Sequence, residues 1–340
     1  MNDILKLQQK LVPELVELLE KRYNILKTIY YNQPIGRRIL ANRLDIGERI
    51  VRSEVNFLKA QNLIEINTPG MTVTLDGEEV LEKLKNFIHE IKGLNSVEKD
   101  LKELLGIEEV IVVPGNIDED ESTIKELGRA AGNYIKSLIK ENSIIALAGG
   151  TTVKEIVNNL PKLQSMPDVL VVPARGGMGR NVETQANTLA ASLAKKMNAQ
   201  YKMLHIPDNL SEKALSTILN EDEIREVALS IKKADIMIYG IGIAEHMGHK
   251  RGLSENKISS IVDSGAVGEA YGCYFDREGN MVFSTSSVGI SPEDANKIKH
   301  IIAVAGGENK AEAILATQRG RTKGVLITDE GAARKILENI

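Results

Sequence analysis

Apolar residues recur at helical spacing through the first third of the chain. Over residues 4–29 they fall seven apart and predict a long amphipathic helix, as shown by Ile4, Leu11, Leu18 and Ile25. Two shorter helical stretches follow, one ending near residue 44 and one over 48–61, with the tight turn DIG between them. The runs LIEI and MTVT around NTPG predict a β-hairpin, and the apolar spacing over 81–91 predicts one more helix.

The pattern changes after about residue 108. Short apolar β-branched runs, bounded by glycine, alternate with helical stretches in the order EVIVV, SIIALA, DVLVVPA, YKMLHI, ADIMIYG, HIIAVA and KGVLITD. Such runs are typical of strands buried on both faces of a parallel sheet, so this part predicts a Rossmann-like, doubly wound α/β domain. We place the boundary between the two domains at residues 92 and 93, which gives domains of 1–92 and 93–340.

Composition narrows the class of protein. The 340 residues are 42% hydrophobic and 26% charged, with a formal net charge of −4, which fits a soluble globular protein that is not a polycation. A single cysteine, Cys273, excludes an internal disulfide and suits a reducing cytosol. No apolar run is long enough to span a bilayer, and the N-terminus lacks the pattern of a signal peptide. We therefore expect a cytoplasmic protein that makes no membrane contact.

The helix over 48–61 has two faces of different chemistry. Val51, Val55 and Leu58 share an apolar face, while the opposite face carries Arg49, Arg52, Ser53 and Asn56. Arginine and asparagine side chains read guanine and adenine edges in the major groove of DNA. Charged helix faces are also common on ordinary solvated surfaces, and this alternative stays open for the helix taken alone.

The local charge and the order of elements strengthen the interpretation as a DNA-binding surface. Between residues 34 and 60, six basic residues stand against three acidic ones, which leaves a net charge of +3 in an acidic chain. A helix, a tight turn, a second helix and a hairpin follow in the order of a winged helix-turn-helix. The predicted DNA-binding residues are Arg37, Arg38, Arg49, Arg52, Ser53 and Asn56. Operators are commonly read by two-fold symmetric proteins, so we also predict a homodimer.

Two glycine turns follow predicted strands, in IIALAGGTTVKEIV (144–157) and IIAVAGGENKAEAI (301–314). Backbone amides at a helix N-terminus attract anions, so both turns are candidate walls of one phosphate site. In the first turn, Gly149 and Gly150 permit close approach, and Thr151 and Thr152 add hydroxyl groups. Lys310 follows the second turn. Glycine turns capped by threonine are also frequent in purely structural α/β units.

Two further segments carry candidate side chains. In VVPARGGMGRNVETQAN, Arg175 lies at the end of a strand with the fork geometry that suits phosphate, and Gln185 begins the next helix. In YGIGIAEHMGHKRG, His246 and His249 are three residues apart, but the spacing is not that of H-E-x-x-H and no third ligand is indicated. We therefore predict no metal site there, and we regard Lys250 and Arg251 as candidates for a phosphate contact or an interface.

The motifs AGGTT, VPARGG, GAVGEAYGCYFD, IAVAGGENKAEAI and LITDEGAARKIL resemble, in order, the sugar-binding domain of the SorC/DeoR family of bacterial transcriptional regulators. The N-terminal stretch QPIGRRILANRLDIGERIVRSEVNFLKAQNLIEI is similar to the glycolytic branch of this family. The resemblance implies a repressor of glycolytic genes with fructose-1,6-bisphosphate as its effector and no cofactor. It also implies dimers that assemble further on DNA, into a tetramer.

The resemblance further implies roles for individual residues. The first phosphate would lie on the 149–152 turn, closed by Lys310, and Arg175 with the following loop would meet phosphate as well. Gln185 and Glu269 would bind sugar hydroxyls, and Lys250 would lie near the ligand. The predicted effector-binding residues are Gly149, Gly150, Thr151, Thr152, Arg175, Met178, Gly179, Arg180, Gln185, Lys250, Glu269 and Lys310.

The fold of this family is similar to that of sugar-phosphate isomerases, so an isomerase-like enzyme is the alternative function. Isomerisation needs a carboxylate base near a carbon acid and an acid for the ring oxygen. Glu269, Asp263 and Asp329 are the available carboxylates, but they form no recognisable constellation with a histidine. A separate DNA-binding domain is also an unusual accessory for an isomerase. We therefore predict a regulator rather than an enzyme.

Overall fold

The computed structural model describes residues 11–178, 181–207, 210–321 and 323–339. The chain forms two compact units. One contains the chain up to Val97 together with Glu119–Thr123, and the other contains Glu98–Asp118 and the chain from Ile124 onward. Among these residues, none of the helices combines the length and the apolar character needed to cross a bilayer.

The N-terminal unit has the element order of a winged helix. Its elements are α1 (Pro13–Asn32), α2 (Arg37–Arg43), α3 (Glu48–Ala60), β1 (Ile64–Asn67), β2 (Gly70–Val73) and α4 (Leu75–Ile91). Strands β1 and β2 form an antiparallel hairpin with Ile64 opposite Val73. Thr74 caps α4 by accepting a hydrogen bond from the Gly77 amide. The helices and hairpin expected from the periodicity are present, and the part of the first helix predicted before residue 11 lies outside the described residues.

The apolar face of α3 forms the centre of this unit. Val51, Val55 and Leu58 are buried against residues of α1 and the hairpin. Glu54 lies on the same inner face, where it accepts a hydrogen bond from Arg22 Nε at 2.9 Å and pairs with Lys21 Nζ at 2.8 Å. Burial raises the pKa of this carboxyl, but the hydrogen bonds from Lys21 and Arg22 outweigh it, so the pKa lies below its ordinary value.

A seven-stranded parallel sheet forms the body of the C-terminal unit. The seven strands are β3 (Glu109–Val113), β4 (Ile144–Leu147), β5 (Leu170–Pro173), β6 (Gln200–Tyr201), β7 (Ile236–Ile243), β11 (His300–Val304) and β12 (Val325–Asp329). Their order in the sheet is β6-β5-β4-β7-β11-β12-β3. The fold class predicted from the alternating runs is confirmed.

Helices cover the sheet and bury its apolar side chains. Ile145, Leu147, Ile238 and Val304 are among the core residues, each at most 1% exposed. The helices are α5 (Leu94–Leu105), α6 (Thr123–Leu138), α7 (Thr151–Asn158), α8 (Ala186–Met197), α9 (Glu212–Ile218), α10 (Asp222–Lys232), α11 (Ala244–Lys250), α12 (Glu255–Asp263), α13 (Pro292–Ala295), α14 (Ala311–Gln318) and α15 (Glu330–Glu338). Short 3₁₀ helices span Val182–Thr184 and Glu308–Lys310.

The structure adds an antiparallel extension that the pattern of apolar runs does not reveal. It consists of β8 (Gly268–Ala270), β9 (Cys273–Phe275) and β10 (Met281–Ser284). The last residues of β7 continue beyond the parallel sheet and pair with β8, which is followed by β9 and β10. These strands are short and turn-rich, which explains why no buried run marks them. The run YKMLHI was predicted as a strand, but only its first residue pairs, in the two-residue strand β6.

The buried carboxylate of Glu54 yields a prediction of pH-dependent stability. We expect Glu54→Gln to lower the free energy of unfolding by about 1–2 kcal/mol near neutral pH, since it leaves Lys21 and Arg22 without their anion. Because the folded-state pKa is lowered, this stabilisation is fully present above the ordinary pKa of 4.5 and is lost as the pH falls through the folded-state value. Urea unfolding at neutral pH and at about pH 3 measures the difference.

The matched control is Glu48→Gln on the same helix. Glu48 is 59% exposed and lies 3.8 Å from an exposed Arg38, so its removal should change stability little. If Glu54→Gln loses the same free energy of unfolding at neutral pH and at the acidic pH, the stabilisation by Glu54 does not have an electrostatic origin.

Candidate functional site

A cavity of about 250 Å³ opens at the carboxyl ends of the central strands. It lies at the point where the strand order reverses. Strands β4 and β7 are neighbours in the sheet, the next parallel strand after β4 lies on one side of this pair, and the next parallel strand after β7 lies on the other side. Ligands of doubly wound sheets bind at such switch points. The described lining residues are Ala148, Gly149, Gly150, Thr151, Thr152, Arg175, Gly176, Met178, Gly240, Ile241, Gly242, Ile243, His246, Met247, Lys250, Arg251, Glu269, Tyr271 and Lys310.

The first glycine turn forms one wall of this cavity. Gly149 must lack a side chain, because a Cβ there would lie 2.8 Å from the Thr184 carbonyl oxygen. Gly150 has φ +134° and donates its amide hydrogen to the Thr184 carbonyl at 2.9 Å. The first backbone bond of α7 runs from the Lys154 amide to the Gly150 carbonyl, so the amides of Thr151 and Thr152 precede the helical ladder. The wall therefore offers the positive end of α7 to a ligand.

The second glycine turn does not repeat this arrangement, which corrects the expectation that both turns face a bound anion. The Gly307 amide donates to both carboxylate oxygens of Asp329, at 3.0 and 2.9 Å. Asp329 also accepts from the amides of Ile117 and Ala332 and is fully buried. A carboxylate of the protein itself therefore accepts the Gly307 amide that the sequence offers to a phosphate.

Lys310 still reaches the cavity from this second turn. It ends the 3₁₀ helix Glu308–Lys310 and is the N-cap of α14. Burial lowers the pKa of its ammonium group, and the positive charge of Lys250 lowers that pKa further. The negative charge of Asp118 raises the pKa but does not outweigh these two effects. Lys310 and Lys250 are thus close enough to repel one another across the cavity, and an anion between them would relieve that repulsion.

Arg175 lines the cavity, but its guanidinium group is engaged with the protein itself. It donates to the Tyr271 carbonyl at 2.6 Å, the Thr285 carbonyl at 3.1 Å and the Thr285 hydroxyl at 2.9 Å. Burial lowers the pKa of this group. The arginine therefore joins the end of β5 to the β8–β9 turn, and carbonyl oxygens offset part of its positive charge.

Glu269 is paired with Arg251 inside the lining. Their side chains are only 2% and 5% exposed, and Nη2 of Arg251 lies 2.6 Å from Oε1 of Glu269. The same oxygen accepts a hydrogen bond from the Gly272 amide. The carboxylate is thus fixed as a hydrogen-bond acceptor at the cavity wall, a geometry suited to a ligand hydroxyl group.

Gln185 is not among the residues that line this cavity. Its side-chain amide bonds the backbone of Met178 in both directions, accepting from the amide at 3.0 Å and donating to the carbonyl at 2.7 Å. The side chain closes the loop after β5 and brings Met178 to the cavity. Gly179 and Arg180, also predicted to bind the effector, lie outside the described residues.

The helix α11 supplies the remaining wall. Three residues of this helix line the cavity: His246, Met247 and Lys250. His249 lies outside the cavity, where its Nδ1 is 3.5 Å from Oε1 of Glu255. The histidine pair is therefore split between two environments. Within the described residues, no three His, Cys, Asp or Glu side chains lie close enough together to bind a metal ion.

The charges of the lining favour an anionic ligand. Among the described lining residues, Arg175, Lys250, Arg251 and Lys310 carry positive charge, against the single carboxylate of Glu269. With the N-terminus of α7, these groups surround a small cavity, which concentrates a positive potential there. The arrangement can bind a molecule that combines phosphate groups with hydroxyl groups.

The predicted DNA-binding residues lie on the surface of the N-terminal unit. Arg37 and Arg38 belong to the first turn of α2, and Arg49, Arg52, Ser53 and Asn56 are exposed on α3. Arg38 Nε lies 3.8 Å from a Glu48 carboxylate oxygen, which places the first turns of the two helices beside each other. The structure thus presents the predicted DNA-binding face to solvent.

The sequence did not single out all the lining residues. The predicted effector-binding set contains Lys250 but not Arg251, Met247 or Tyr271, which also line the cavity. A signal for Tyr271 was available: a tyrosine before glycine between two short β-rich runs is an unusual turn sequence. Met247 had no such signal, since it packs on Gly242, where a Cβ would lie 2.3 Å from its Cγ.

Two family models cover most of the chain. The CggR N-terminal DNA binding domain matches residues 18–88, and a sugar-binding domain family, Sugar-bind, matches residues 89–338. The chain is 42% identical over 340 residues to the central glycolytic genes regulator of Priestia megaterium, covering 100% of this chain and 99% of that protein. It is also 42% identical over 339 residues to the regulator of the same name in Bacillus subtilis, covering the full length of both.

Solved structures of SorC regulators also match this chain. The crystal structure of a SorC family transcriptional regulator from Enterococcus faecalis matches with a TM-score of 0.66 and 33% identity, over 71% of this chain and 99% of that one. The full-length sorbitol operon regulator SorC from Klebsiella pneumoniae shares the fold, with a TM-score of 0.66 and 21% identity over 92% and 96% of the two chains. With a DNA-binding domain followed by a sugar-binding domain, the chain belongs to the SorC family of transcriptional regulators.

Proposed function

We propose that this protein is a repressor of central glycolytic genes whose binding to operator DNA is changed by fructose-1,6-bisphosphate. The observation that carries the proposal is the cavity at the switch point, where four basic side chains and one helix N-terminus face a single carboxylate. The relatives named as central glycolytic genes regulators support the choice of genes. A glycolytic bisphosphate offers two anionic groups and several hydroxyl groups to this lining.

The ligand would lie with its two phosphates at opposite walls. One phosphate would contact the turn Gly149–Thr152 and the Lys310 ammonium, and the other would lie toward Lys250. Glu269 would accept a hydrogen bond from a sugar hydroxyl. Arg175 would contribute its charge from the cavity wall while its hydrogen bonds keep the Tyr271–Thr285 backbone in place, and Gln185 would act through the Met178 loop that it closes.

The surroundings of the carboxylates favour a regulator over an isomerase. Asp329 is held by four hydrogen bonds from the amides of residues 117, 307 and 332 and is not among the lining residues. Asp263 ends α12 on the exposed surface. Glu269 already accepts hydrogen bonds from Arg251 and from the Gly272 amide, so protein donors occupy the oxygen that a general base would need. His246 is a further lining residue, and a product assay tests whether any turnover occurs.

Regulation would follow from unequal binding to two conformations. A bisphosphate that binds one conformation of the sugar-binding domain more tightly shifts the population toward it and thereby changes DNA affinity. We propose that the DNA-binding form is a homodimer that assembles into a tetramer on the operator, since two-fold proteins read two half-sites.

A direct experiment separates regulator from enzyme. The full-length protein is titrated onto DNA from upstream of the glycolytic genes, with and without fructose-1,6-bisphosphate, and the mixture is analysed for other sugar phosphates. The proposal expects operator binding that weakens with the bisphosphate and no product. Steady accumulation of an isomerised or cleaved sugar phosphate would replace it with the enzymatic alternative.

The exposed face of α3 gives a prediction for DNA binding. Arg52→Ala should weaken operator binding by about tenfold, because one charged contact to base or phosphate is removed. Its binding of fructose-1,6-bisphosphate should not change. Fluorescence anisotropy at several salt concentrations measures both the affinity and its salt dependence.

Lys83→Ala is the control, since Lys83 is exposed on α4 and pairs with Glu79. It should leave operator affinity near the wild-type value. Equal affinities of the Arg52 and Lys83 variants for the operator would remove Arg52 from the DNA-binding face.

The position of Lys310 gives a prediction for effector binding. Lys310→Met should reduce the affinity for fructose-1,6-bisphosphate by about tenfold to a hundredfold, since a charge-assisted contact to phosphate is lost inside a cavity. Operator affinity without effector should stay the same. Isothermal titration calorimetry measures the first quantity and a gel-shift titration the second.

Lys297→Met is the matched control, because Lys297 is 74% exposed and pairs with Asp294 outside the lining. A Lys310 variant that binds the bisphosphate as tightly as this control would show that Lys310 makes no contact with the ligand.

A further inference from the structure

The turn between β8 and β9 breaks a local rule. Ala270 pairs with Cys273, so Tyr271 and Gly272 form a two-residue hairpin loop. Both have positive φ, +38° and +88°, as a type I′ turn requires. Asparagine, aspartate or glycine normally occupies the first position, and a tyrosine there is held at a cost in backbone energy. Such a conformation persists only where the surrounding contacts hold it.

Tyr271 makes three different contacts at the rear of the cavity. Its carbonyl oxygen accepts the 2.6 Å hydrogen bond from Arg175. Its ring meets the ring of Tyr239 edge to face, with 5.2 Å between centroids and an interplanar angle of 89°. Its hydroxyl accepts a 2.6 Å hydrogen bond from Arg321. Burial raises the pKa of Tyr271 to about 12, so the phenol stays neutral at physiological pH.

Arg321 connects this turn to the helix α14. Its Nε donates to the Thr317 carbonyl at 2.7 Å, in the last turn of that helix. Its guanidinium lies 5.5 and 5.9 Å from the ring centroids of Tyr271 and Tyr239. The neighbouring Gln318 donates to the Tyr239 hydroxyl at 3.1 Å. At the opposite end of α14, the N-cap residue is Lys310, which lines the cavity.

The turn also holds two polar side chains of the cavity wall in place, those of Glu269 and Arg175. The Gly272 amide donates to Glu269, and a Cβ on Gly272 would lie 2.4 Å from the Arg175 guanidinium carbon. Arg175 therefore packs closely against the turn while bonding its carbonyl. If the backbone left its positive φ, the Tyr271 carbonyl and the Gly272 amide would rotate together, and the contacts to Arg175 and Glu269 would be lost.

We propose that Tyr271 and Arg321 form a positioning pair, which holds the β8–β9 turn so that Arg175 and Glu269 face the ligand and which ties that turn to the helix bearing Lys310. Neither residue needs to touch the ligand. The role rests on the proposed function, because it assumes that an anionic sugar binds between Arg175, Glu269 and Lys310.

The test uses the full-length protein and fructose-1,6-bisphosphate in isothermal titration calorimetry. Tyr271→Phe removes the acceptor for Arg321 and keeps the ring, and Arg321→Met removes the donor. Each should weaken binding about fivefold, as expected for one net hydrogen bond. Arg321→Lys should recover part of the loss, since an ammonium group can still donate to the hydroxyl.

Two matched variants control for general destabilisation. Tyr134→Phe removes a partly buried hydroxyl elsewhere in the same unit, and Arg319→Met removes a guanidinium bonded to the Arg277 carbonyl. Both should bind the bisphosphate like the wild type. Wild-type affinity in both Tyr271→Phe and Arg321→Met would overturn the positioning role.

Crystal structures of effector-free Tyr271→Phe and Arg321→Met provide a readout that does not depend on the effector. In both variants we expect the carbonyl of residue 271 to move away from the Arg175 guanidinium. A turn that keeps its wild-type geometry in both variants would overturn the proposal, whatever the calorimetry gives. If the wild-type protein fails to bind the bisphosphate, the proposed function falls, and these structures alone decide on the positioning pair.

Discussion

The distribution of carboxylates around the strand ends is the constraint on which the cavity depends. Backbone amides and basic side chains crowd this edge of the sheet, and each needs a negative or polar partner when it is removed from water. Asp329 accepts the Gly307 amide of the second glycine turn, and Glu269 pairs with Arg251. The amides at the start of α7 and the ammonium groups of Lys250 and Lys310 are left facing the cavity. The proposed effector would supply the anion that these groups lack.

The two glycine turns show how similar sequences acquire different roles. Both follow a buried strand and precede a helix, so both offer amides at the same edge of the sheet. In the second turn, a Cβ on Gly306 would lie 2.9 Å from the Asp329 carboxylate, and one on Gly307 would lie 2.8 Å from that of Asp118. These glycines make room for carboxylates of the protein. In the first turn, Gly149 makes room for the backbone of residue 184, and the amides of α7 remain available.

The polar wall of the cavity depends on elements that lie far apart in sequence. Arg175 follows β5, Glu269 belongs to β8, Lys310 precedes α14, and Arg321 follows it. Hydrogen bonds join the end of β5, the β8–β9 turn and the residues after α14. They run from Arg175 to Tyr271 and Thr285, from the Gly272 amide to Glu269, and from Arg321 to Tyr271. Because each bond joins a different pair of elements, a change in one wall has a physical route to the others. The proposed effect of the ligand on DNA binding would need such a route within the sugar-binding domain.

The sequence by itself determined six of the seven parallel strands and the amphipathic faces of the N-terminal helices, because periodicity records which side of an element is buried. It also determined that basic residues and glycine turns meet at one edge of a sheet, since parallel strands align their carboxyl ends. It did not reveal the strands β8 to β10, whose short, turn-rich segments carry no continuous apolar run. Only the tertiary structure decided that Asp329 fills one turn, that Gln185 holds a loop, and that Arg175 bonds a carbonyl. Those choices depend on distances between groups separated by as many as 212 residues, and local pattern contains no information about such distances.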